Sequence, residues 1–112
     1  MTVAPPIKVY GHISPVSDAL WEELDRLCGP LGEGEEPVAT REGDTIQLAF
    51  EGLHFPVEEV LEAVRRHLGP VHAGKLDVLD VENWRMTRHV IKDGKIETRA
   101  ASLNDVLSYS GF

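Results

Sequence analysis

The sequence is short of the features that usually announce a chemistry. It has one cysteine in 112 residues, Cys28. No intramolecular disulfide and no cysteine-ligated zinc or iron–sulfur centre can therefore form. No apolar run approaches the ~20 residues that cross a bilayer. The opening Met-Thr-Val-Ala-Pro-Pro has neither the basic nor the apolar region of a secretory signal. There is no GxSxG, no HExxH and no i,i+4 histidine pair on a helical stretch. Gly29-Pro-Leu-Gly-Glu-Gly34 lacks the Lys-Ser/Thr of a phosphate loop and follows a helical segment instead of a strand. Basic charge is scarce too, with 11 Lys+Arg against 19 Asp+Glu and a formal charge of −8. That balance argues against general binding to nucleic acid or an anionic membrane. Neither a metal nor a cofactor is expected, and the cytoplasm is the expected compartment.

What is present reads as one folded domain spanning residues 1–112. The chain is 42% hydrophobic and 27% charged, and at this length it can bury a core without disulfide or metal staples. Cys28 ends an apolar helical pattern and is expected to be a buried structural thiol.

Residues 7–13 alternate apolar and polar, with Ile7, Val9 and Ile13 on one side and Lys8, Tyr10 and His12 on the other. Ser14-Pro15 offers a helix N-cap and first-turn proline. Val16, Leu20, Leu24 and Leu27 follow at helical spacing, Ala19 widens the stripe, and Gly29-Pro30 stops it. Two strands, 38–42 and 45–51, flank Gly43-Asp44, a tight hairpin signal. Pro56 opens a second helix with the stripe Val57, Val60, Leu61, Val64 and Leu68. Acids lie at its start and Arg65, Arg66 and His67 at its end, as the helix dipole prefers. Residues 76–82 are strand-like, and 84–92 continue the pattern after a bend or bulge at Glu82-Asn83. Asp93-Gly94 is a second hairpin turn leading into 95–101, and Ser102-Leu-Asn-Asp105 opens a short terminal helix.

The two strand–helix units resemble each other. Ile7, Val9, Gly11, Pro15 and Val16 align with Leu48, Phe50, Gly52, Pro56 and Val57 at one offset. After a one-residue gap, Leu20, Leu24, Arg26 and Gly29-Pro30 align with Val60, Val64, Arg66 and Gly69-Pro70. A duplicated β-α-β of this kind resembles the ferredoxin-like plait. The expected fold class is therefore α+β: a βαββαβ plait with an additional C-terminal β-hairpin strand and a short terminal helix. The expected strand order is 2-3-1-4, with the extra strand beside strand 4. The plait hosts many unrelated functions and implies no activity.

The plait covers one sheet face with helices and leaves the other open. With Trp84, Met86 and Val90 turned inward, the open face would gather Lys8, Tyr10, His12, Gln47, Glu51, Arg85, Thr87 and His89. Lys8, Tyr10, His12, Arg85 and His89 are the candidate ligand-binding residues. Their cationic groups suit an anionic small molecule, and Tyr10 adds a stacking or hydrogen-bonding surface. A solvated or dimer-buried sheet face is the plainer account of the same residues. Asp77, Asp80 and Glu82 cluster near the fourth strand. Asp80 and Glu82, on one face of a regular strand, could bind Mg²⁺ or divide acid and base roles. A metal site needs a converging ligand set, however, and a solvated face is the plainer account. The leading expectation is a binding or regulatory domain that forms a homodimer through its open sheet face or an edge strand. One rival is a small isomerase or hydrolase of an anionic substrate, with His12 and His89 as acid–base groups and Arg85 as anion clamp. Another is a protein-interaction module using the acidic helices and Glu33, Glu35 and Glu36.

Charge is unevenly spread. Residues 84–99 hold five basic and two acidic side chains, a balance of +3, which leaves −11 for the rest of the chain. The C-terminal hairpin is thus the natural place to look for an anion or an acidic surface.

Overall fold

The structure, a computed structural model, describes residues 6–31 and 37–104. Within them the order is β1 (Ile7–Ser14), α1 (Asp18–Cys28), β2 (Ala39–Glu42), β3 (Thr45–Gly52), α2 (Val57–Arg66), β4 (Ala73–Asp80), β5 (Arg85–Lys92) and β6 (Lys95–Ser102). The strands form one antiparallel sheet in the order β2-β3-β1-β4-β5-β6. The fold is α+β, with two helices on a six-stranded sheet.

The period-two alternation of β1 and β3 sets the two faces. Val9 pairs with Phe50 and Ile13 with Ile46, all buried, and on β4 Val9 meets Val78. Leu20, Leu24 and Cys28 of α1 and Val60, Leu61, Ala63 and Val64 of α2 join these strand residues in one core cluster. Both helices therefore lie on the same sheet face. Trp21, not Ala19, widens the apolar stripe of α1, since Ala19 is exposed and Trp21 packs on the core. Gly11 and Gly74 lie on this face where β1 and β4 approach closely. A Cβ on Gly11 would stand 2.6 Å from the Lys75 carbonyl oxygen, and one on Gly74 would collide with the His12 carbonyl.

The first helix starts later than the Ser14-Pro15 signal suggests. Ser17 is the N-cap, and its Oγ accepts a bond from the Leu20 amide at 3.2 Å. The Ser14–Pro15 peptide is cis, and the Val16 amide donates to the Asp44 carbonyl at 2.9 Å. Residues 15–16 thus connect strand to helix instead of opening the helix. Pro56, by contrast, is itself the N-cap of α2. The Gly-Pro stop holds in form, with a short 3-10 turn at Gly29–Leu31 closing α1.

The larger correction concerns residues 76–92. They are not one bent strand. Residues 81–84 form a turn, and β5 folds back antiparallel on β4. Asp80 makes the reversal: its carboxylate accepts from the Asn83 amide at 3.1 Å and from the Asn83 side chain at 2.7 Å. These bonds hold the Asp80 carboxyl below its ordinary pKa, the Asn83 side chain being the largest cause. Trp84 takes a left-handed φ of 54° at the end of the turn, and its backbone oxygen accepts from Leu103 at 2.9 Å. Two strands, β5 and β6, therefore extend the sheet beyond β4, where one was expected. Asp93 and Gly94, both with positive φ, make the two-residue turn between them. Leu103 and Asn104 leave β6 in a helical conformation, and the rest of the expected terminal helix lies outside the described residues.

Candidate functional site on the open sheet face

Register decides which side chains meet. Asp80 pairs with Arg85, Val78 with Thr87 and Leu76 with His89. Val78 and Leu76 belong to the helix-covered face, so Arg85, Thr87 and His89 do too. Met86, Arg88 and Val90 fall on the open face. This inverts the expected orientation of β5: Met86 and Val90 do not point toward the helices, and Arg85 and His89 do not join the ligand face. Trp84 is not a core anchor either. It sits in the turn, 43% exposed, and its indole Nε1 donates to Asn104 Oδ1 at 2.9 Å.

His89 instead lies buried on the helix-covered face, opposite Leu76. It is 7% exposed, and its Nδ1 lies 2.8 Å from Thr98 Oγ1. Burial holds the imidazole below its ordinary pKa, with Glu58 raising it and Arg65 lowering it in turn. Arg85 stands exposed at the start of β5, opposite Asp80 and Ser102. The two histidines proposed as an acid–base pair thus lie on opposite faces of the sheet.

Lys8, Tyr10 and His12 do share the open face, side by side on β1. Tyr10 donates its hydroxyl to Glu51 Oε1 at 2.8 Å, and Lys8 Nζ approaches the same oxygen at 3.8 Å. The bond to Glu51, with partial burial and the carboxylate's charge, raises the Tyr10 pKa. The next strand adds residues that the sequence reading did not place in the site. Lys75 stands directly opposite His12, and Asp77 directly opposite Tyr10. Asp77 is 8% exposed although it lies on the open face. Two bonds from Arg88 cover it, Nε to Oδ1 at 2.7 Å and Nη2 to Oδ2 at 2.9 Å, and Lys75 Nζ lies 3.7 Å from Oδ2. This bidentate fork raises the Arg88 pKa and fixes both planes.

A shallow basin of about 560 Å³ lies over this surface, lined by Tyr10, His12, Thr40, Gln47, Lys75 and Asp77 among others. A neighbouring depression of about 440 Å³ runs from His12 and Lys75 past Arg88 to Lys92. His12 and Lys75 line both. Lys92 is followed across the turn by Lys95. This end of the open face therefore gathers Lys75, Arg88, Lys92 and Lys95 beside His12, with Asp77 set among them. His12 adds charge only when protonated.

The carboxylates considered for a cation separate. Asp80 caps the turn, Glu82 lies within it, and Asp77 is on the other face, bound to Arg88. Among the described residues no three His, Cys, Asp or Glu side chains converge on a metal-sized site. No helix among them is long and apolar enough to cross a membrane. Glu33, Glu35 and Glu36 lie outside the described residues. Cys28 is fully buried, and burial followed by the charge of Asp25 pushes its thiol up to about 11.

The signal for Lys75, Asp77 and Arg88 was available in one place. Residues 76–92 are too long for an ordinary strand, and the apolar phase slips at Leu79. Taking the slip as a reversal moves Arg88 into the site and His89 out of it. Comparison with protein-family models, with curated proteins and with solved structures gives no match, so the functional reading rests on this geometry.

Proposed function

We propose that the chain is a small binding domain on a ferredoxin-like plait, extended by a C-terminal β-hairpin. It self-associates through its sheet and holds an anionic small molecule on the open sheet face. The strand order β2-β3-β1-β4 with both helices on one face supports the plait. A single buried thiol suits a reducing cytoplasmic setting.

One observation carries the anion: His12, Lys75, Arg88 and Lys92 border two joined concavities in a chain of formal charge −8. Lys75 and His12 would contact the ligand, Tyr10 would pack against it, and Arg88, committed to Asp77, would hold the floor. The separation of His12 from His89 favours binding over acid–base catalysis, which needs both groups within reach of one substrate. The test is a titration with inorganic phosphate and with citrate, followed by NMR. The amides and side chains around His12, Lys75 and Lys92 should shift saturably, and Lys75→Glu should weaken binding at least tenfold. Shifts spread evenly over the surface, or an affinity indifferent to Lys75→Glu, would remove the reading.

A further inference from the structure

Strand β6 ends the sheet. It has eight residues and no proline or glycine, and among the described residues no strand lies beyond it. A strand of that length with a bare outer edge is a template for another strand. The direction of its free groups follows from the hairpin. A two-residue turn closes on a hydrogen-bonded pair, here Lys92 and Lys95, and bonding alternates from there. The bond from the Leu103 amide to the Trp84 carbonyl belongs to the same series. Odd-numbered residues of β6 thus bond to β5, while Ile96, Thr98 and Ala100 turn their amide and carbonyl groups outward.

The charges of β6 narrow what can pair there. Glu97 and Arg99 stand on the open-face side, largely exposed, and touch each other only at 3.7 Å. Arg99 is directly opposite Arg88, a like-charge cross-strand pair. An acidic group on the far side of Arg99 would offset that repulsion.

We infer that β6 pairs antiparallel with β6 of a second copy, about a two-fold axis through Thr98. This rests on the reading that the domain self-associates, and it names the surface and register. Two-fold pairings compatible with the outward groups and overlapping by five residues or more centre on Glu97, Thr98, Arg99 or Ala100, the last setting Arg99 against Ala101 and leaving Glu97 with no opposite residue in β6. Centring on Glu97 sets Glu97 against Glu97, and centring on Arg99 sets Arg99 against Arg99. Centring on Thr98 sets Glu97 of each copy against Arg99 of the other, twice by symmetry, and brings Ile96 against Ala100 on the helix side. Thr98 of each copy then exchanges both backbone bonds with its mate, flanked by two such pairs between Ile96 and Ala100. The two six-stranded sheets join into one, with all four helices on the same face.

The experiment is sedimentation equilibrium of the full chain and of four variants. The wild type should dimerise, more weakly as salt rises. Glu97→Lys alone and Arg99→Glu alone should each weaken the dimer roughly tenfold, since each sets like charges opposite at both symmetric positions. A mixture of the two should recover a heterodimer, because positions 97 and 99 are then both basic in one chain and both acidic in the other. The double reversal Glu97→Arg/Arg99→Glu should dimerise like the wild type. Thr98→Pro should give a monomer that keeps the β5–β6 ladder, the lost amide being one that points outward. A wild-type dimer untouched by Thr98→Pro and by the charge variants would overturn the edge assignment while sparing self-association. Tightening by Arg99→Glu would overturn the register, because it fits pairing centred on Glu97, where Lys95 meets residue 99. A wild type monomeric at millimolar concentration would overturn both this inference and the self-association it rests on.

Discussion

Asp77→Asn should move stability and anion binding in opposite directions. Asp77 is 8% exposed and takes two bonds from Arg88, at 2.7 and 2.9 Å, with Lys75 at 3.7 Å. Asparagine keeps the shape but loses the charge. Its carbonyl oxygen can accept one guanidinium bond, while its NH2 opposes the other donor. Losing one charge-assisted bond and turning a second against a donor costs about 2 kcal/mol. The figure stays below that for a fully buried pair because the Arg88 side chain is 20% exposed and can reach water. For a domain of this size the loss lowers the melting midpoint by about 8 °C. The same change removes the carboxylate set among Lys75, Arg88 and His12. A charge ~6 Å from a bound anion, at an effective dielectric constant of about 60, contributes about 1 kcal/mol. Phosphate affinity should therefore rise roughly fivefold. Calorimetric melting and a phosphate titration on one preparation read both quantities. An unchanged midpoint would refute the strength assigned to the Asp77–Arg88 fork. A less stable variant that binds phosphate more weakly would refute the electrostatic account of the basin.

Gly74→Ala should cost about 3 kcal/mol in urea unfolding, because its Cβ meets the His12 backbone, which cannot move without parting β1 from β4. Leu24→Ala, at a position fully buried between α1 and the sheet, should cost about 2–5 kcal/mol without changing the phosphate response. His89 is held below its ordinary value of 6.5 by burial, so the unfolded chain binds the proton more readily than the folded one. Wild-type stability should fall as pH drops through and below that value, and His89→Gln should flatten this part of the urea-midpoint profile. An equally steep profile in the variant would show that another group is responsible. Cys28 should resist Ellman's reagent at pH 8 in the native protein and react at once in denaturant, since its thiol is buried and pushed up to about 11.

The first five elements of the fold were legible because their signals are local. Alternation in residues 7–13 and 45–51, apolar stripes around Leu20 and Val60, and Gly43-Asp44 each report on the chain within a few residues. They place β1, α1, β2, β3 and α2 nearly where the structure has them, and Lys8, Tyr10 and His12 on the open face follow directly. The N-cap was misplaced by three residues, from Ser14 to Ser17, because two serines and a proline offer competing caps at the same strand end. The rest failed at one point. A bend and a reversal at residues 81–84 leave similar apolar patterns, since Val-Glu-Asn-Trp carries neither glycine nor proline. What makes the reversal is a side-chain bond, Asp80 to Asn83, together with a tryptophan in the left-handed region. Tryptophan is a residue that sequence patterns do not offer for that conformation. Because a strand has period two, that single choice moved every β5 side chain to the other face.

The added hairpin also changes what the sheet presents at its rim. Without it β4 would be the edge, and its Leu76, Val78 and Leu79 would leave an apolar strand open to any other strand. Strand β5 covers that edge, and β6 replaces it with Lys95, Glu97 and Arg99. Charged side chains on an edge normally discourage pairing, and these discourage most of it. Registers centred on Glu97 or Arg99 oppose like charges, and an uncharged foreign strand offers neither charge a partner. Among registers that overlap by five residues or more, only the one centred on Thr98 sets Glu97 against Arg99. The same three side chains that protect the edge from indiscriminate association therefore select a single partner, a second copy in one alignment. Aggregation resistance and specific self-association are two outcomes of one charge pattern, and the Glu97/Arg99 exchange separates them. Either single reversal should weaken the dimer roughly tenfold while leaving the edge charged and the protein soluble.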